Sequence, residues 1–109
     1  MNTIAVDAMG GDSAPIDIVK GAIKAKEQGV DVVLCGDKNL IDPYLENHEI
    51  PVFDFPQVIS MDEDPLKAIR NKKNASIVGC MQLLKDKKVQ AVFSAGSTGA
   101  TLISAISIL

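Results

Sequence analysis

Val32-Val33-Leu34-Cys35 is an unbroken apolar run closed by Gly36. Such a run has no polar face, so a strand made from it suits a parallel sheet covered on both sides. The neighbouring segments supply the rest of that architecture. Ile4-Ala5-Val6 reads as a first strand and Val89 to Phe93 as a later one. Pro51 to Phe55 reads as a strand nearer an edge, because prolines flank it. Helical patterns fall between the strands. Ser13 or Ala14 precedes a helix with Pro15 in its first turn, Ile16, Val19 and Ile23 on one face, and Gly29 at its stop. Leu40, Ile41, Tyr44 and Leu45 mark a short helix, and Pro65 to Arg70 a helical turn. A further helix begins at about Ala75, with Ile77, Met81 and Leu84 on one face, and Thr98 or Gly99 opens the last one. Repeated strand–helix units predict a parallel sheet with right-handed crossovers and helices on both faces.

A chain of 109 residues with 47% apolar content can form one packed domain. At this size it buries a smaller fraction of its surface than a larger domain does. The net charge of −3 and the 4% aromatic content, with no Trp, argue against a nucleic-acid partner. Cys35 and Cys80 lie far apart and His48 is the only histidine, so no Cys/His zinc spacing exists. Both cysteines sit in apolar runs and read as buried reduced thiols of a cytosolic protein. The segment from Met1 to Asp7 lacks the basic and apolar regions of a signal peptide. The longest apolar stretch is too short to span a bilayer. That stretch, Thr101 to Leu109, is apolar almost all round and expects cover on every side. It reads as a chain cut, or ending early, inside a longer fold.

Two glycine-containing turns join a strand to a helix, and both are candidates for chemistry. The first runs from Asp7 through Gly10, Gly11 and Asp12 to Pro15. The second is Ser94-Ala95-Gly96-Ser97-Thr98-Gly99-Ala100. In a parallel sheet such turns lie at the carboxyl ends of the strands, where ligands bind. Glycine admits close backbone approach, and helix N-termini favour anions. Ser97 and Thr98 add hydroxyl donors. Neither turn matches a named nucleotide fingerprint, and the plainer reading is that the glycines serve only tight turns. Asp62-Glu63-Asp64 followed by Lys67, Arg70, Lys72 and Lys73 reads either as a solvated segment or as a basic patch for a phosphate or an acidic carrier. No coordination spacing supports a metal site there. His48 sits in a polar connection, and no G-x-S-x-G elbow exists for a triad.

These residues carry a resemblance that covers nearly the whole chain. Ile4 to Asp12 with Ala14-Pro15, Leu34-Cys35-Gly36-Asp37, Met61 to Pro65 with Ala68-Ile69-Arg70 and Lys72-Lys73, and Ser94 to Ala100 resemble, in order, segments of the PlsX family of phosphate acyltransferases. Ser97 stands where that family usually has Asn, and Asn74 and Ala75 stand where Asp and Ser are expected. The resemblance implies a three-layer α/β/α fold like that of isopropylmalate dehydrogenase and phosphotransacetylase, with residues 1–109 as the N-terminal part of one truncated domain. It implies acyl transfer from an acyl carrier protein thioester to inorganic phosphate for phospholipid synthesis. It further implies a cytoplasmic homodimer with peripheral membrane contact, and no cofactor or metal. Asp12, Lys73, Ser97 and Thr98 are the expected catalytic residues. Asp7, Gly10, Gly11, Arg70, Ser94, Gly96 and Gly99 are the expected substrate-binding residues. Two alternatives stand beside this reading. One is a phosphate acetyltransferase or nicotinamide-dependent enzyme of the same fold, the latter lacking its fingerprint. The other is a non-catalytic fragment holding half a cleft.

Overall fold

In chain order the elements are β1 (Thr3–Asp7), α1 (Ile16–Glu27), β2 (Asp31–Gly36), α2 (Lys38–Ile41), β3 (Val52–Asp54), α3 (Pro65–Asn71), α4 (Ser76–Lys85), β4 (Ala91–Phe93) and α5 (Thr98–Ile108), with a short 3-10 turn at Asp42–Tyr44. The computed structural model describes residues 2–109, so Met1 of the amino-terminal segment lies outside the described residues. The strands form one sheet in the order β3-β2-β1-β4, and every pairing is parallel.

The apolar run of β2 is buried throughout, from Val32 to Cys35. Alternate residues serve opposite layers, as the strand period of two dictates. Val6, Val32 and Leu34 pack with Val19, Ala22 and Ile23 of α1 and with Ile41 of α2. Ala5, Val33 and Cys35 pack with Cys80 and Leu83 of α4 on the other face. Ala68 and Ile69 of α3, Met81 of α4 and Ala100 of α5 form a third cluster, against which Val92 of β4 packs. The arrangement is the expected three-layer α/β/α fold with a parallel sheet. Burying a side chain of the size of Leu34 contributes about 2 kcal/mol.

Local chemistry explains most boundaries. β3 lies at the sheet edge, and Pro51, which has no N–H, contributes only a carbonyl, accepting from the Leu34 N–H at 2.9 Å. Asp37, Asp64 and Ser97 are side-chain caps of α2, α3 and α5. α1 differs from expectation. It starts after Pro15 with no side-chain cap, and Ser13 contributes its carbonyl to the Asp17 N–H instead. β4 begins at Ala91, later than its apolar pattern suggests; Val89 is buried just ahead of the paired segment.

Coverage of α5 is one-sided. Ala100 and Ser104 are buried, whereas Leu102, Ile106 and Leu109 are exposed. Among the described residues no helix is long and apolar enough to cross a membrane. Cys35 and Cys80 are buried and unpaired. A hydrogen bond with Cys35, then burial and the nearby charge of Asp7, hold the Cys80 thiol far above the ordinary thiol range. A thiol so disfavoured as thiolate is a core group rather than a nucleophile.

Candidate functional site

β1 and β4 are adjacent and parallel, with Val6 opposite Phe93, so the two glycine turns leave the sheet side by side at its carboxyl edge. They touch through their backbones. A Cβ placed on Gly10 would meet the Gly96 nitrogen at 2.8 Å and its Cα at 2.9 Å. One placed on Gly96 would meet the Gly10 Cα at 3.1 Å. Gly11 has φ +94°, a conformation that side-chain-bearing residues rarely adopt. Gly99 abuts Pro65 at the start of α3. The glycines therefore serve the approach of one turn to the other as well as the turns themselves.

Asp7 lies beneath this contact, 3% exposed. Its Oδ1 accepts from the Ser76 hydroxyl at 2.5 Å and from the Met9 N–H at 3.1 Å. Its Oδ2 accepts from the Ser94 hydroxyl at 2.8 Å. Ser94 Oγ in turn accepts the Gly96 N–H at 3.1 Å. Ser97 Oγ accepts the Ala100 N–H at 3.2 Å and so caps α5, leaving its own proton free to donate. Asn caps as well as Ser, so the capping capacity does not depend on which of the two stands here. Among the described residues, no acceptor within the chain takes the N–H groups of Gly10, Gly11, Ser97 or Thr98.

The segment 57–63 forms the facing wall. The Gln57 N–H donates to the Asn74 carbonyl at 3.1 Å, and the Ser76 N–H donates back to the Gln57 carbonyl at 3.0 Å. Lys72 Nζ donates to the Val58 carbonyl at 2.7 Å and pairs with Glu63 at 2.8 Å. Glu63 also accepts the Ser60 N–H at 2.7 Å. Together these bonds hold the Glu63 carboxyl below its ordinary range, the Lys72 hydrogen bond contributing most. Between this wall and the turns lies a cavity of about 200 Å³, lined by Met9, Gly11, Asp12, Ile59, Met61 and Ser97 among others. A narrower cavity beside it reaches down to Asp7, Ser76 and Ser94.

The expected site residues divide into two groups. Asp7, Gly10, Gly11, Asp12, Ser94, Gly96 and Ser97 converge on these cavities. Thr98 is exposed in the first turn of α5, and Gly99 packs on Pro65. Arg70 and Lys73 are exposed and line neither cavity. α3 turns Ala68 and Ile69 inward, which directs Arg70 to another side of the helix. His48 is remote, bonded through Nδ1 to the Leu45 carbonyl at 2.8 Å. Ser76 and the wall residues Val58 and Ile59 escape the sequence reading, which names Lys72 only within a run of basic residues.

The chain is similar to known proteins over nearly its whole length. The model of a family described as fatty acid synthesis protein matches residues 2–109. A phosphate acyltransferase of Gloeothece citriformis (strain PCC 7424) is 51% identical over 94% of this chain and 31% of its own length. One of Desulforamulus reducens is 47% identical over 100% of this chain and 34% of its own length. One of Nostoc punctiforme is 46% identical over 94% and 32%. The chain thus spans about a third of the length of the curated relatives it matches.

Proposed function

The chain belongs to the fatty acid synthesis protein family, and from that premise we propose that it forms one side of the cleft of a phosphate acyltransferase. The proposed reaction carries an acyl group from an acyl carrier protein thioester to inorganic phosphate. A phosphate oxygen attacks the thioester carbonyl carbon, and an oxyanion forms on the carbonyl oxygen. The C–S bond then breaks, giving acyl phosphate and the carrier thiolate, which takes up a proton from water. A simple thiol has a pKa of about 8.5, so the leaving group departs without strong acid assistance. The protein's tasks are to hold phosphate against the thioester and to stabilise the oxyanion.

One observation supports this reading above the others. Two glycine turns meet at the carboxyl ends of β1 and β4 with N–H groups that no acceptor among the described residues takes. Such groups at a helix start suit an anion. We assign the anion contacts to the N–H groups of Gly10, Gly11, Ser97 and Thr98 and to the Ser97 and Thr98 hydroxyls. Asp12, which lines the larger cavity, is placed to orient a donor. Arg70 and Lys73 line neither cavity, and the contacts proposed here are those of the turns. Because the chain spans about a third of its relatives' length, the isolated chain is expected to be inactive. The whole protein is proposed to act as a cytoplasmic homodimer with peripheral membrane contact.

The test is an acyl-transfer assay on the full-length natural protein and on this chain. It uses an acyl carrier thioester with and without phosphate. Release of carrier thiol by the long form only when phosphate is present, matched by acyl phosphate, is the expected result. Absence of phosphate-dependent release from the long form overturns the proposal.

A further inference from the structure

We propose that Asp7 is a positioning residue, whose buried carboxylate sets the second glycine turn through Ser94 and does not itself touch substrate. The inference rests on the anion-binding reading above and adds a role for a group that reading leaves idle. Asp7 is the one buried ionisable carboxyl among the described residues. A carboxylate is a poor neighbour for phosphate, since like charges repel most where water is excluded. Its oxygens are already engaged. Ser76 and Met9 bond to Oδ1 and Ser94 bonds to Oδ2, all from groups of the chain itself. These partners come from the start of α4, from the first glycine turn and from the second. Asp7 therefore joins three of the pieces that border the narrower cavity.

The direction of the Ser94 proton carries the inference. Because Oδ2 can only accept, the Ser94 hydroxyl must donate to it. Its lone pairs are then turned to the Gly96 N–H, 3.1 Å away. That bond fixes Gly96 directly ahead of Ser97, whose N–H and hydroxyl are assigned to the anion. Asparagine cannot replace the carboxylate here. With its amide nitrogen at the Oδ1 place it would face the Met9 N–H, donor against donor. With the nitrogen at the Oδ2 place, Ser94 would lose the acceptor for its proton. The first orientation unsettles the first turn at Met9, and the second unsettles Ser94 and with it Gly96, so either one reaches the anion site without altering the acyl side of the cleft.

The experiment measures carrier-thiol release by the full-length protein against phosphate and, separately, against acyl carrier thioester. Asp7→Asn and Ser94→Ala are each compared with the natural sequence, and thermal unfolding is followed in parallel. Both variants are expected to raise the phosphate KM at least tenfold and to leave the thioester KM within twofold. Ser94→Ala removes only a hydroxyl from a half-buried side chain, so it reports even where Asp7→Asn fails to fold. An active natural protein whose Ser94→Ala variant keeps its phosphate KM overturns the positioning role alone. So does an equal rise in both KM values with a fall in Tm, which marks a merely structural residue. A natural protein with no phosphate-dependent release overturns the anion reading beneath it.

Discussion

The two glycine turns sit at the same edge of one sheet, yet different parts of the chain shape them. The first turn is set by backbone. Gly11 needs its positive φ, Gly10 has Gly96 directly against it, and the one side-chain bond within it among the described residues is that of Asp7 to the Met9 N–H. The second turn is set by hydroxyls. Ser94 links Asp7 to the Gly96 N–H and Ser97 caps α5, while neither Gly96 nor Gly99 has a positive φ. The difference teaches that similar glycine content can have unlike causes. Side chains added to the first turn should do most damage, and side chains trimmed from the second.

The sharpest test uses the shared contact itself. A methyl on Gly10 would lie 2.8 Å from both the Gly96 nitrogen and Asp7 Oδ2, and backbone there cannot step aside. Gly10→Ala should destabilise the full-length protein by about 3 kcal/mol in urea unfolding. The same methyl on Gly96 would meet Gly10 Cα at 3.1 Å and Ser94 Oγ at 3.4 Å, contacts that small shifts relieve. Gly96→Ala should therefore cost about 1 kcal/mol. Equal losses would show that the contact is not the constraint. Gly11→Ala follows at about 2 kcal/mol, since its φ of +94° strains any side chain and the Ala95 carbonyl lies 3.1 Å from the added Cβ.

These contrasts also mark what the sequence makes legible. The unbroken run from Val32 to Cys35 identifies a strand buried on both faces, because only that environment suits four consecutive apolar residues. The prolines around β3 place it at the edge for an equally local reason. The two turns are legible as strand–helix junctions. Their contact is not, because Gly10 meets Gly96 only once β1 and β4 have paired. Ser76 is invisible for the same reason, since 69 positions separate it from Asp7. The basic residues are legible in sequence but not in placement. Charge makes Arg70 and Lys73 conspicuous, but helix phase places Arg70 away from the inner face that α3 gives to Ala68 and Ile69, and Lys73 lies beyond the end of that helix.

The hydroxyl side of the comparison is tested by Ser97. Ser97→Ala removes the acceptor for the Ala100 N–H and should cost about 1 kcal/mol, read again by urea unfolding. Ser97→Asn should be close to neutral, because Asn caps equally well. A loss with Asn as large as that with Ala would mean that the hydroxyl does something other than cap.

The smallest expected effect lies on the wall that faces both turns. Glu63 titrates below its ordinary value of 4.5, first because Lys72 hydrogen-bonds to it and then because the Ser60 N–H does. A depressed acid stabilises the fold at every pH above its unfolded value, and that contribution is lost as the pH falls through the folded one. The strap on residues 57–63 should thus be intact at neutral pH and loosen below about pH 4.5. Hydrogen exchange of the Ser60 amide should report it, with protection falling over that acid range in the natural sequence. In Glu63→Gln the protection should start lower and stay flat, since an amide has nothing to titrate. The pair is partly exposed, so high salt at neutral pH should weaken the strap in the natural sequence as well. The turns should not respond, because backbone packing and neutral hydroxyl caps hold them. If protection at Ser60 and at Ala100 fell together with acid, the wall and the turns would be one unit, and the contrast between them would disappear.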